Sequence, residues 1–370
     1  MPSAVESPET PPVDPRHDAR HDARTPSRRP APLLLAITLA MVACLLARLA
    51  GGPVAIPWPD VVRILAGGEG ELPAWNGIVM QIRLPKAITA SLAGAALAVS
   101  GLLMQTLFRN PLAGPFVLGI SAGASLGVAI VLLSVGAGTS QLLAGLGLVG
   151  DFGLVAAASL GSGLALALVM FAARRVSTLT LLILGVLFGY ATSALVTVLI
   201  HFSLAERIQS YIAWTFGSFG NVTWSQLQIL APTLVVGLAL ALATAKPLNA
   251  LLLGEGYAAS MGIEVTRARW LILISTALLA GGVTAFCGPI GFLGIAVPHL
   301  VRGVFRLADH RVLIPASAVT GAAVALISDL VAQLPGSQAV LPLNAVTALI
   351  GAPIIGAIIL RRRLDDSFSR

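Results

Sequence analysis

The sequence predicts an all-α integral membrane protein of about ten transmembrane helices, and three observations carry that expectation. Hydrophobic residues make up 56% of the 370 residues and charged residues only 11%, less than half of the quarter usual in a soluble chain. Mean hydropathy is +0.91. Apolar runs of the length a helix needs to cross a bilayer, about 20 residues, recur along the chain from residue 33 onward. So little charge cannot cover a soluble domain of this size, which excludes a cytosolic enzyme, a disordered protein and a secreted disulfide scaffold.

Residues 1–30 differ from the rest. They are rich in Pro, Arg, Asp and His and carry a short tandem, His17-Asp-Ala-Arg20 and His21-Asp-Ala-Arg24. A segment with so little apolar surface cannot offset its ordering entropy, so a disordered cytoplasmic tail is expected. Residues 31–370 form the membrane domain. Its spans are expected near 33–50, 84–107, 115–135, 151–173, 178–200, 226–245, 270–287, 291–305, 312–333 and 344–360, the eighth being short and broken by Gly and Pro. The first run lacks a convincing small-residue cleavage site and is kept as a span.

Orientation follows from the basic residues, which gather on the cytoplasmic side of a membrane. With the N-terminus inside, five tail arginines, Arg109, Arg174, Arg175, Lys246, Arg267, Arg269, Arg306, Arg311, Arg361 to Arg363 and Arg370 all fall inside. Only Arg63, Arg83, Lys86 and Arg207 fall outside. Both termini are therefore expected in the cytoplasm, with the chain in the cytoplasmic membrane among lipid. The net charge of +7 is spread singly between apolar runs, which argues against a nucleic-acid partner. Cys44 and Cys287 lie far apart within apolar stretches and read as packing residues; no metal site or cofactor is expected.

The motifs point away from enzymatic chemistry. Gly119-Ile-Ser-Ala-Gly123 satisfies the G-x-S-x-G pattern of a nucleophile elbow, but that elbow needs a strand before the serine, and here the match lies in a membrane run. No phosphate-binding loop exists, because that loop needs a glycine before its lysine and the lysines follow Pro85 and Ala245. Charges inside spans are functional suspects by default. Asp329 lies in the ninth span and reads as a helix-to-helix polar contact, while His299 and Arg302 lie in the eighth. The connection 246–269 is too polar and too punctuated by Gly254, Gly256 and Gly262 to span. It reads either as an interfacial helix or as a docking site for a cytoplasmic partner.

Several long motifs then occur in order. The run Gln81-Ile-Arg-Leu-Pro-Lys86 continues through Ser91-Leu-Ala-Gly-Ala-Ala-Leu-Ala-Val-Ser-Gly-Leu-Leu-Met-Gln105 to Phe108-Arg-Asn-Pro-Leu-Ala113. Leu253-Gly-Glu255, Gly288-Pro-Ile-Gly-Phe-Leu-Gly294 with Pro298-His299, Asp309-His-Arg311 and Val346-Thr-Ala-Leu-Ile-Gly-Ala-Pro353 follow. In these the chain closely resembles the FecCD family of ABC-importer permeases, which serve iron-siderophores, haem and vitamin B12.

The resemblance implies a type II importer fold working as a pair of permease subunits, with two ATPase subunits below and a substrate-binding protein above. The chain itself is then not an enzyme. The resemblance places ATPase coupling at Leu253, Gly254, Glu255, Ala259 and Gly262. It places docking of the binding protein at Arg83 and Lys86, a cytoplasmic gate at Ser177 and Thr178, and the central path along span five with Gly185 and Gly189. A ferric siderophore, an iron chelate, is the expected cargo, with haem and cobalamin as alternatives. Three positions depart from the family pattern: Gly114 stands where Asp is common, Gln333 where Arg is common, and Asn344 where Gly is common. The rival readings are an ion-coupled secondary transporter, for which Asp329 offers little of a midplane site, and a membrane-embedded enzyme, for which no clustered constellation exists.

Overall fold

A computed structural model describes residues 30–133, 151–173, 175–333 and 340–368. The tandem and arginines of the tail, Arg174 and Arg370 lie outside the described residues. The chain is helical throughout this range. Helices α1 (Pro30–Ala50) and α2 (Trp58–Leu65) lead into the long α3 (Pro73–Leu107). There follow α4 (Ile120–Leu133), α5 (Asp151–Ala173), α6 (Thr178–His201), α7 (Ala205–Thr215) and α8 (Trp224–Ala243). The second half holds α9 (Ala245–Leu251), α10 (Glu255–Ser260), α11 (Val265–Cys287), α12 (Leu293–Phe305), α13 (His310–Ala332) and α14 (Leu343–Phe368).

Seven of these helices are long and apolar enough to cross a membrane, namely α1, α3, α5, α6, α8, α11 and α13. The shorter apolar helices α4, α12 and the first part of α14 occupy the other three expected positions. Two boundaries moved. The second expected span begins earlier, at Pro73, because a wide π-helical turn, Ile78–Arg83, carries the helix through the charged Arg83. The seventh begins at Val265, because the basic Arg267 and Arg269 stay helical beyond the apolar run.

Helix α3 is the core of the bundle, and glycine is the reason it can be. Lipid gives apolar helices no hydrophobic incentive to associate, so they gain contact by close backbone approach at small residues. A Cβ added at Gly101 would lie 1.7 Å from the Gly294 carbonyl oxygen on α12, and one at Gly94 would lie 2.3 Å from the Gly321 carbonyl oxygen on α13. Gly123 and Gly161 make the same kind of crossing between α4 and α5. Replacing Gly101 with Ala is expected to force α3 and α12 apart and cost at least the ~1–3 kcal/mol usual for overpacking. Gly189→Ala, whose Cβ would meet no atom within 4 Å, serves as the control. Thermal unfolding in detergent reads both, and equal midpoints would contradict this packing.

The break before α12 is stapled from α14. Gly288 (φ 75) and Phe292 (φ 63) both lie in the left-handed region, so the chain turns sharply instead of continuing as helix. Asn344 holds the turn: its Nδ2 donates to the Pro289 carbonyl at 2.6 Å and to the Thr215 carbonyl at 2.8 Å, and its Oδ1 accepts from the Gly291 N–H at 2.9 Å. Asn344 thus satisfies three backbone groups of two other segments.

Candidate functional site

The chemistry-bearing residues gather at the two ends of the bundle. At one end, the connection between α8 and α11 folds into the two short helices α9 and α10. Glycine makes both corners of α10. Gly254 at its start has φ 112 and ψ 154, a combination that L side chains avoid. Gly262 just past its end has φ 81. There the Gly262 N–H donates to the Ala259 carbonyl at 3.0 Å and the Ile263 N–H to the Ala258 carbonyl at 3.0 Å, the paired bonds of a Schellman stop.

This short helix presents an apolar outer surface. Ala258 is fully buried, whereas Leu253, Tyr257 and Met261 are 62%, 54% and 59% exposed, with Ala259 exposed beside them. Large apolar side chains clustered on an otherwise polar connection mark a contact surface.

Its inner side grips the turn between α5 and α6. Ser177 caps α6, its hydroxyl accepting from the Thr180 N–H at 3.2 Å, and Thr178 is the first residue of that helix. The Thr178 hydroxyl donates to Glu255 Oε1 at 2.7 Å. Arg269 of α11 donates to the same oxygen at 2.9 Å, and its other nitrogen reaches the carbonyls of Ala173 and Val176 at 3.3 and 3.4 Å. One carboxylate therefore ties α10, the α5–α6 turn and α11 together.

Partial burial pushes the Glu255 carboxyl up, but hydrogen bonds from Thr178 and Arg269 and the charges of Arg269 and Arg109 outweigh it and hold the group below its ordinary 4.5. The link is consequently formed at neutral pH and is lost only as pH falls from about 4.5 through the folded value. Glu255 is half-exposed, so the pair contributes little to stability, about 1 kcal/mol or less. Its importance is positional. Sequence reasoning missed Arg269, which it counted only as a basic residue, and Arg109, whose guanidinium lies beside Gly254.

Helix α6 carries this contact into the bundle. Only Leu181, Gly185, Thr192 and Val196 of it are buried, and exposed Leu187, Tyr190 and Leu195 occupy other faces. The two glycines do different work. A Cβ at Gly185 would lie 2.1 Å from the Val117 carbonyl oxygen, so Gly185 seats α6 on the 3-10 turn Pro115–Leu118. Gly189 instead lines an open recess of ≈ 260 Å³ with Ser121, Ser125, Thr192, Ser193 and Tyr211.

At the opposite end, Asp329 of α13 joins three helices. It pairs with Arg48 of α1 and, at 3.1 Å, with Lys86 of α3. Gln333 accepts from Arg48 at 2.6 Å and from Lys86 at 3.2 Å. The polar-contact reading of Asp329 holds, and its partner Arg48 is the charge that sequence reasoning passed over. Arg83 and Lys86 are both turned inward. Arg83 is 3% exposed and gives its guanidinium to the carbonyls of Leu49, Ala50 and Val54. The outer-mouth charges expected for docking thus clasp α1 and the segment after it in this conformation.

Seven helices long and apolar enough to cross a membrane make this a multi-span membrane protein. Sequence comparison gives the particular family. The profile of the FecCD transport family matches residues 39–361, and the chain belongs to that family. It is similar to the vitamin B12 import system permease protein BtuC of Klebsiella pneumoniae, with 39% identity over 326 residues, 87% of this chain and 92% of that protein. BtuC of Salmonella typhi is 40% identical over 295 residues, 79% of this chain and 85% of that protein. Among solved structures, one described as an inward-facing conformation of a metal-chelate type ABC transporter superposes with TM-score 0.77 at 29% identity, covering 90% of this chain and 99% of that one.

Proposed function

We propose that the chain is the membrane-spanning subunit of an ATP-binding-cassette importer for a metal chelate, and that α10 is the lever by which a separate ATPase subunit drives it. The observation that carries this reading is the bond between Glu255 and Thr178, which joins the contact surface of Leu253, Tyr257 and Met261 to the start of α6. The distribution of basic residues supports a cytoplasmic position for that surface, where an ATPase can reach it. ATP can shift the permease between outward- and inward-open states only if the ATPase binds the two states differently. An α10 held by its apolar outer side and fastened at Glu255 transmits that difference to the gate at Ser177 and Thr178. A second permease subunit covers the exposed faces of α6, and the path runs past Gly185 and Gly189.

An extracytoplasmic binding protein delivers the cargo at the end where Arg48, Arg83, Lys86 and Asp329 lie. Arg83 and Lys86 are engaged inside the clasp, so their direct contact with the binding protein requires the clasp to open.

The family resemblance alone pointed to a ferric siderophore, the commonest cargo in that family. The similarity to vitamin B12 permeases supports a corrinoid, which we place first, with the ferric siderophore second. Uptake by a bacterial strain lacking this gene, offered labelled cobalamin, ferric siderophore and haem in parallel, decides the matter. Loss of cobalamin uptake alone, restored with the gene, is the expected result. Loss confined to a ferric chelate overturns the corrinoid assignment, and ATP-independent uptake driven by an ion gradient overturns the importer.

A further inference from the structure

A chain of hydrogen bonds links α12, α3, α13 and α9, the helix that leads into the lever. Arg302 of α12 donates from Nη2 to the Thr106 hydroxyl of α3 at 3.2 Å. Thr106 meets His310 Nε2 at 2.8 Å, and His310 Nδ1 meets Asn249 Oδ1 at 2.7 Å. Asn249 of α9 donates from Nδ2 to Asp309 Oδ1 at 2.7 Å. Asp309 caps α13 by accepting from the Arg311 N–H at 3.0 Å. Thr106 is 2% exposed and His310 fully buried.

The chemistry of the end groups fixes the direction of every bond. Asp309 can only accept, so the Asn249 amide turns Nδ2 toward it and Oδ1 toward His310. That oxygen can only accept, so His310 carries its proton on Nδ1 there, and neutral Nε2 at 2.8 Å takes the single Thr106 hydroxyl proton in competition with the Leu102 carbonyl at 3.0 Å. Thr106 in turn accepts from Arg302. All the donors point the same way, from a guanidinium to a carboxylate, an arrangement in which each bond polarises the next.

Asn249 and Arg302 are partly buried and Asp309 is exposed; Asn249 and Asp309 sit where α9 meets the start of α13. Four residues after Asn249 the chain reaches Leu253 and the lever.

We infer that this chain is a second tether of the lever, in which Asn249 and His310 are positioning residues that hold α9 to α3, α12 and α13 while α10 pulls on α6. The tether deepens the importer reading and rests on it. A lever needs a fulcrum, and a directed polar chain with a buried centre at Thr106 and His310 supplies one.

The test exploits the one pair whose donor and acceptor can be exchanged. Asn249→Asp sets two carboxylates against each other, and Asp309→Asn removes the acceptor charge. The double variant N249D/D309N restores a carboxylate–amide pair in reverse. The complex of permease, ATPase and binding protein is reconstituted in liposomes, and uptake of labelled cyanocobalamin, or of a ferric hydroxamate if the wild type prefers it, is counted per ATP hydrolysed. Each single variant is expected to lower that ratio about fivefold or more, with the double within about twofold of wild type, as coupled contacts behave in a double-mutant cycle. A purely structural role would instead lower the thermal midpoint and leave the ratio untouched. Single variants with the wild-type ratio, or a double no better than the singles, overturn the tether. A wild type that imports neither chelate at the expense of ATP overturns the importer reading, and the tether with it.

Discussion

Glu255→Ala is expected to leave an assembled complex that hydrolyses ATP and imports almost nothing. The substitution removes the shared acceptor of Thr178 and Arg269 but none of the apolar contact surface of α10. Docking of the ATPase is therefore retained while its movement no longer reaches α6. Coupling between sites is typically ~1–3 kcal/mol, so the chelate imported per ATP is expected to fall about tenfold or more. Because Glu255 is half-exposed, stability is expected to change little. Parallel measurement of uptake and hydrolysis in liposomes checks this; a proportional fall of both, or no fall in either, would show that the carboxylate does not connect them.

Asp329→Asn is expected to have the largest effect on stability. The carboxylate is buried with Arg48 and Lys86, and its removal leaves two cations facing a neutral amide. Breaking a buried pair by removing one partner costs about 3–5 kcal/mol, because the remaining charge stays desolvated. In the folded bundle this separates α1 from α13, so a large drop in thermal midpoint, or loss of the protein from the membrane, is expected. Replacing Arg48 and Lys86 with Met in the same chain removes the stranded charge and is expected to recover much of the loss. A D329N chain that unfolds at the wild-type temperature would contradict the assignment of this cluster as a structural clasp.

The sequence made the spans legible because hydrophobic length is a direct consequence of bilayer thickness, and α3, α6 and α13 fall within a few residues of their expected places, apart from the early start of α3 through its π-helical turn. The break before α12 was legible as Gly288-Pro-Ile-Gly291, and the corners of α10 as Gly254 and Gly262, because each glycine marks backbone that other residues resist. The long-range polar pairs were not legible. Thr178 and Glu255 are 77 residues apart, Arg48 and Asp329 are 281 apart, and nothing local in either segment announces a partner. The burial of Arg83 and Lys86 was hidden for a related reason. Sequence places a long basic side chain near a membrane face but leaves it free to turn outward to solvent or inward to carbonyls and a carboxylate.

The link between lever and gate is tested by a double-mutant cycle on its two ends. Thr178→Val, Glu255→Ala and the double variant are reconstituted alike, and the chelate imported per ATP is measured for each. If the hydroxyl and the carboxylate act through their mutual bond, either single variant removes it and the double imports no less than the worse single. Independent losses that multiply in the double would mean that Thr178 and Glu255 act separately and that α10 does not work the gate through this contact.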